Sequence, residues 1–265
     1  MNCDFSILVI GCKKHEQIAN RYYALANKFW PDSIKNTLFC TDEITDYQVE
    51  FTGGKIVSDD SNHFAFRIIS GLNHIDSDYV VLLLDDYYFT KTIDSNKVLE
   101  LIKYLRSNEL DYCKLIGLPK CFKSNRGFKG TYHIQQSTHY GISLQPSIWK
   151  KESLLEALEL CTGASAWEVE AAFSSYQKNH FEQCITFNKN FLNYRNGVLR
   201  GKLFPYTNRL LSKNGIEVLS LKKISYFKYF CFSTRQHLSM HLPIWLRKMG
   251  KRIGKKAGKK YYSED

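Results

Sequence analysis

The chain lacks several signatures that would fix its chemistry at once. No G-x-G-x-x-G turn and no Walker lysine loop follows any strand-like run, which argues against dinucleotide and ATPase chemistry. Its eight cysteines never adopt C-x-x-C spacing. Several lie in apolar runs, so buried thiols in a reducing compartment are expected rather than a zinc site. No apolar run approaches the roughly 18 residues of a spanning helix, and no signal-peptide pattern is seen. A cytoplasmic or peripherally attached protein is therefore expected. Net charge is also nearly absent from most of the chain. Of the formal +11, residues 222–265 contribute +10, with 12 Lys/Arg against Glu264 and Asp265. A near-neutral body argues against a surface that reads nucleic acid throughout, and no nucleic-acid partner is expected.

What is present is a large core. The 265 residues are 44% apolar and 14% aromatic, enough for one α/β domain, or a domain with an appendage, without covalent staples. The chain is organised around Tyr79–Thr92, YVVLLLDDYYFTKT. Six continuous apolar residues read as a strand buried on both faces. Asp85 and Asp86 at its end cannot both be dry without partners, and they fall at the sheet edge where open α/β folds bind ligands. Side chains alternate along a strand, so the two acids diverge if it continues and converge only if the chain turns. Ordinary strand-end acids capping the next helix are the alternative.

Before this centre, Phe5–Ile10 and Thr37–Cys40 read as strands around an amphipathic helix, Glu16–Trp30, which predicts a parallel pair with a right-handed crossover. A short strand at Lys55–Val57 follows, then a helix capped by Ser61 or Asn62 and running to about Asn73. After it, Ser95 is expected to cap a helix over Asn96–Ser107, and Tyr112–Leu118 reads as a strand. Residues 119–137 read as an irregular, active-site-like loop. Further elements are a strand at His139–Leu144, a helix at Trp149–Leu160, a helix from Trp167 to about Tyr176, and a last strand at Phe187–Tyr194. A glycine-rich return, Asn196–Lys202, closes the body.

Trp167-Glu168-Val169-Glu170 places two acids beside an aromatic platform at a helix start. An aromatic ring suits the C–H face of a sugar, and a carboxylate can act as general base toward its hydroxyl; acids in a first turn also simply complement the helix dipole. Arg195, Arg200 and Lys202 cluster around glycines, where cations could neutralise a leaving diphosphate. Arg67 could reach the same phosphates, and Asp42 could hold a ribose or base at the end of the second strand. His63, His133 and His139 lack metal-ligand spacing. In the tail, Lys222–Lys260 interleaves bases with aromatics, and Pro243 is placed to start a helix with a stripe of Leu242, Trp245, Leu246, Met249 and Ile253. That composition suits a helix lying in an anionic bilayer surface; RNA binding and a solubilising tail are the alternatives.

Four stretches taken together, SDYVVLLLDDYYF ending at Phe89, GISLQPSIWKKESL from Gly141, WEVE at 167–170 and NGVLRGKLFP from Asn196, make the chain resemble bacterial GT-A-fold glycosyltransferases. The closest type is family-2-like, of the kind serving O-antigen, capsule or lipooligosaccharide biosynthesis. The resemblance implies a GT-A-like (Rossmann-like) three-layer α/β sandwich with a mostly parallel central sheet over residues 1–215. A basic, membrane-associating helical tail occupies 216–265. It also implies a nucleotide-sugar donor, a UDP-sugar foremost, bound through Asp85, Asp86, Asp42, Arg67, Arg200 and Lys202. The acceptor, a glycan or lipid-linked saccharide, would meet Trp167, His139 and Gln145. Glu170, or Glu168, is implied as the base of an inverting transfer. Members usually hold Mg²⁺ or Mn²⁺ on a D-x-D motif; here Asp85-Asp86 precedes Tyr87, so only Asp86 is carried over as a metal ligand and metal dependence stays open. The implied location is the inner face of the cell membrane. A nucleotidyl- or phosphotransferase of similar design, or a nucleic-acid-binding protein using the tail, would share many of these features.

Overall fold

The computed structural model describes residues 5–43, 55–59, 62–118, 127–199, 201–241, 245–246, 249–250 and 252. The first half alternates strand and helix as its apolar spacing demands: β1 (Ser6–Ile10), α1 (Glu16–Phe29), β2 (Thr37–Thr41), β3 (Lys55–Ser58), α2 (Phe64–Leu72) and β4 (Tyr79–Leu84). Then come β5 (Tyr87–Phe89), α3 (Ser95–Ser107), β6 (Tyr112–Gly117), β7 (Thr131–His133), β8 (Ser147–Lys150), α4 (Lys151–Glu159), α5 (Ala166–His180) and β9 (Cys184–Phe187). The rest comprises β10 (Tyr194–Asn196), β11 (Val198–Leu199), β12 (Lys202–Leu203), α6 (Thr207–Lys213) and α7 (Tyr226–His241).

Eight strands form one sheet in the order β3-β2-β1-β4-β8-β6-β9-β7. Only β8 and β7 run against the rest: β8 is antiparallel to both β4 and β6, and β7 to β9. Strand alternation splits the centre between two cores. Ile7, Val9, Val81 and Leu83 pack with α1 and α3, while Leu8, Ile10, Val80 and Leu82 pack with α2, α4 and α5. This three-layer sandwich is the architecture expected, and it explains why β4 is apolar without alternation. Each such side chain contributes about 1.5–3 kcal/mol on burial. The parallel register aligns Ile10 with both Cys40 and Leu84, so β1, β2 and β4 end together at one edge of the sheet.

From α3 onward the chain departs from expectation in five places. His139–Leu144 is not a strand. Side chains satisfy its backbone instead: the Gln177 amide accepts from Ile142 N and donates to the carbonyls of Gln135, Gln136 and Thr138. Trp149 belongs to strand β8, where it packs on Tyr112 with ring centroids 4.6 Å apart, and the helix starts after it. The expected strand over Phe187–Tyr194 is two pieces, β9 and β10, because Phe187 pairs with Thr131 while Tyr194 pairs with Phe89 in a separate small sheet. Asp94, not Ser95, caps α3, its carboxylate accepting from Asn96 N; the Ser95 hydroxyl is engaged with Trp30 and Asp32. Within the irregular region, 119–126 lies outside the described residues and 131–133 forms β7.

After α6 the chain stays docked on the body. Leu219 is buried in the first core, the side chain of Asn208 bonds both the N–H and the carbonyl of Leu219, and Leu203 bridges Lys223. α7 then carries Tyr226, Phe227 and Phe230 into solvent, 66–75% exposed. The helix expected from Pro243 falls largely outside the described residues. Among the described residues, no helix is long and apolar enough to cross a membrane.

Candidate active site

The shared strand end gathers acids from three elements. Asp85 follows β4, and its N–H extends the pairing by donating to the Ile10 carbonyl at 3.1 Å. Its carboxyl turns toward the β1 loop, where the Cys12 N–H is its partner. Gly11 has no side chain here because there is no room for one: a Cβ would lie 2.5 Å from the Phe39 ring and 2.8 Å from Asp85 Oδ2. That oxygen is buried and accepts no hydrogen bond. Burial first, and the neighbouring charge of Asp86 second, raise the Asp85 pKa well above the usual carboxylate range, against the pull of Arg67.

Arg67 reaches this corner from α2. It donates to the Gly11 carbonyl at 2.8 Å and sits 3.7 Å from Asp42 Oδ2. Asp42 also accepts from Lys13 N at 2.7 Å. Burial works against its charge, but these partners hold its pKa below the ordinary value. The structure therefore brings Asp42, Arg67 and Asp85 together, and adds the 11–13 backbone, which the sequence reading does not single out.

Asp86 faces the other way. Its carbonyl accepts from Gly197 N at 2.7 Å, and its carboxyl from Val198 N. Burial pushes its pKa up to about 7. The two acids thus have different partners although the chain turns at 85–86, between β4 and β5, where the sequence pattern would have them converge.

Glu170 and Asp86 flank the same tyrosine. Glu170 Oε1 accepts from Leu144 N at 3.3 Å, and the Tyr87 hydroxyl donates to the Leu144 carbonyl at 2.8 Å. Burial raises the Glu170 pKa, moderated by the Lys114 charge and that N–H. Lys114 is buried inside β6 and donates to Tyr140 O and Ser143 Oγ. The sequence reading misses it, although a lysine within an apolar strand run is a visible signal of a buried polar partner.

Glu168 has a different task. It closes a capping box with Ser165, accepting from that residue's N–H and hydroxyl, and these bonds lower its pKa. Trp167 is 48% exposed. His139 is half-buried against the Tyr140 ring, 4.4 Å between centroids. Gln145 is tied to the Tyr194 hydroxyl. Lys202 is exposed in β12, and Arg200 lies outside the described residues.

Past β5 and β10, and not lined by Asp86 itself, opens a cleft of about 340 Å³ walled by Ile116, Asn190, Tyr194, Arg195, Asn196, Tyr206 and Tyr229. The Tyr87 and Tyr194 rings, 5.0 Å apart, connect it to the Glu170 side. Among the described residues no cluster of three or more His, Cys, Asp or Glu could hold a metal by itself.

No protein-family model matches the chain, and no curated protein matches it. Solved structures do. A cytidylyltransferase from Leptospira borgpetersenii serovar Hardjo-bovis is similar over 92% of this chain and 99% of its own, with 13% identity and a TM-score of 0.51. S. aureus TarS residues 1–349 is similar over 92% of this chain and 76% of its own, at 15% identity and a TM-score of 0.48. The protein spans 41% of the longer TarS chain. The fold is a mixed α/β sandwich shared with that cytidylyltransferase. At these identities the likeness concerns the fold alone.

Proposed function

We propose that this protein is a glycosyltransferase that moves a sugar from a nucleotide-sugar donor, a UDP-sugar foremost, to a surface-glycan or lipid-linked saccharide, with inversion. The observation that carries the reading is the placement of three carboxylates around Tyr87 and the β1 loop. Asp85 faces the Arg67–Asp42 corner, Asp86 is buried within electrostatic reach of Tyr194 and Tyr206, which line the cleft, and Glu170 lies across Tyr87 from Asp86. The Arg67–Asp42 corner is where the nucleotide end of the donor docks. Glu170 takes the proton of the attacking hydroxyl. A pKa raised by burial makes it a stronger base than an exposed glutamate. Lys114 keeps that charge tolerable once formed. Of the acids at the WEVE stretch, Glu170 is the base we assign, because the carboxylate of Glu168 is spent on its helix cap.

A divalent ion, Mg²⁺ or Mn²⁺, fits Asp86. This carboxyl is desolvated and held by backbone N–H groups rather than by a cation, and such ions are typically bound through one or two carboxylates plus substrate phosphates. Bound there, the ion would offset charge on the departing diphosphate.

Nucleotidyl transfer would need to balance a triphosphate instead. Three cations near the site are already engaged: Lys13 with Glu43, Arg67 with Gly11 and Asp42, and Lys114 with Tyr140 and Ser143. Arg195 in the cleft is a further, exposed cation, so the two reactions are separated by their products. The deciding experiment is a melting panel of nucleoside diphosphates and UDP-sugars with Mn²⁺ or EDTA, followed by product analysis. Ligand at about a hundred times its Kd should stabilise the fold by roughly 2.7 kcal/mol. Release of a nucleoside diphosphate supports the reading; release of pyrophosphate from a nucleoside triphosphate overturns it.

On the same reading, α7 and the basic residues after it hold the enzyme on an anionic membrane face, with Tyr226, Phe227 and Phe230 entering the headgroup layer. Co-sedimentation with phosphatidylglycerol vesicles that persists after truncation at residue 224 would count against this.

A further inference from the structure

The cleft beyond Asp86 is built for a ligand of definite character. Its volume, about 340 Å³, falls within the roughly 300–1,000 Å³ of small-molecule sites. Its walls are three tyrosines: Tyr194, Tyr206 and, from α7, Tyr229. Tyr206 and Tyr229 stand edge to face, centroids 5.7 Å apart, and the Tyr206 hydroxyl is fixed by the Asn196 carbonyl at 2.9 Å. Aromatic rings held in place in this way offer apolar surface to sugar C–H groups, and the hydroxyl oxygens of Tyr194 and Tyr206, whose protons go to Gln145 and the Asn196 carbonyl, can accept from sugar hydroxyls. Asn196 adds a side-chain oxygen that is buried without a hydrogen-bond partner.

Ile116 and Asn190 complete the lining together with a cation. The Arg195 guanidinium lies 4.9 Å over the Tyr206 ring. It is exposed on β10 and makes no ion pair among the described residues. A guanidinium laid against a ring has few rotamers left to lose, and its N–H fork stays open for a carboxylate or phosphate. A site for neutral sugars alone has no use for that fork.

We propose that this cleft is the acceptor subsite and that it takes an acidic saccharide, whose carboxylate or phosphate pairs with Arg195. The assignment rests on the transferase reading above. It places the acceptor's acidic end in the cleft, from which the attacking hydroxyl must reach past Tyr194 and Tyr87 to Glu170, on the side away from the nucleotide corner at Arg67.

The test is saturation-transfer NMR on the full chain with three probes: methyl β-D-glucuronide, glucose 6-phosphate and methyl β-D-glucoside. At least one acidic probe should bind about tenfold tighter than the neutral one, as expected for a single charge-assisted contact. Arg195→Ala should abolish that preference, and Tyr229→Ala should weaken all three probes. Whichever acid keeps the preference separates a carboxylate acceptor from a phosphorylated one. Equal binding of the three probes, no binding of any, a preference that survives Arg195→Ala, or displacement of the acidic probe by excess UDP would each overturn the proposal. A UDP melting shift on the same sample reports the donor reading separately. Saccharide binding without that shift leaves an acidic-sugar site and removes the transferase; the shift without saccharide binding does the reverse.

Discussion

The end of β4 and the start of α5 each carry two carboxylates, yet the folded chain treats the two pairs differently. At β4 both acids are pulled out of water, face opposite sides of the sheet edge and have raised pKa values. At α5 about half a helical turn separates the fates: Glu168 folds back on Ser165 and becomes a better anion, while Glu170 is carried under the 140–144 segment and becomes a worse one. A carboxylate with good donors is anchored and electrostatically quiet. One that is desolvated with few donors has free energy to gain from a proton, a metal or a substrate hydroxyl.

The contrast is broken most directly at α5. Glu170→Gln should lower kcat by about 10²–10⁴-fold, the usual worth of a general base, with the fold intact by circular dichroism. Glu168→Gln should leave kcat within an order of magnitude and mainly lower the melting temperature. Equal losses in the two variants would remove the distinction. Next in size is Lys114→Met. Removing a buried cation that serves Tyr140, Ser143 and Glu170 should cost about 3–5 kcal/mol, and it should move the acid limb of kcat/KM to higher pH because the cation no longer favours ionised Glu170. A limb that stays in place would mean Lys114 supports only the 140–143 backbone.

Asp86 gives the pH test at β4. Its ordinary pKa is 3.8, and in the folded chain it rises to about 7. Between these values the folded state binds a proton that the unfolded state has lost. The Asp86 contribution to stability is therefore present at low pH and disappears as pH rises through 7. The melting temperature of Asp86→Asn should decline less steeply than the wild type's between pH 4 and 7, because Asp85 and Glu170, also raised, remain; parallel curves would place the Asp86 carboxyl in water. The smallest effect is expected at the α5 cap. Ser165→Ala should cost about 1 kcal/mol in urea denaturation without changing the acid limb that belongs to Glu170.

Much of the fold was legible because its signals are local. The continuous apolar run of β4 and the helical spacing of α1 and α2 need no partner to be read, and they place Asp42, Arg67 and Asp85 in one corner once the strands are taken as parallel. The second half depends on distant pairing. Trp149 and Lys150 look like the start of a helix, and only Tyr79–Leu82 and Tyr112–Lys114 on either side make them strand. Residues 139–144 are shaped by Gln177, which no local pattern connects to them. The Glu168 assignment was within reach, since Ser165-x-x-Glu168 is a capping-box spacing. The buried position of Glu170 was not, because it depends on Leu144 and Lys114 arriving from elsewhere.

The insertion of β8 between β4 and β6 also has a consequence for biosynthesis. A ribosome finishes β4 long before it reaches Ser147, the residue that pairs with Leu82. At typical synthesis rates that interval lasts roughly 3–13 s. Throughout it, a strand apolar on both faces presents an unpaired edge, the kind that templates association with other chains. The nascent protein's greatest exposure to misassembly thus falls between the making of its most hydrophobic strand and of the strand that covers it.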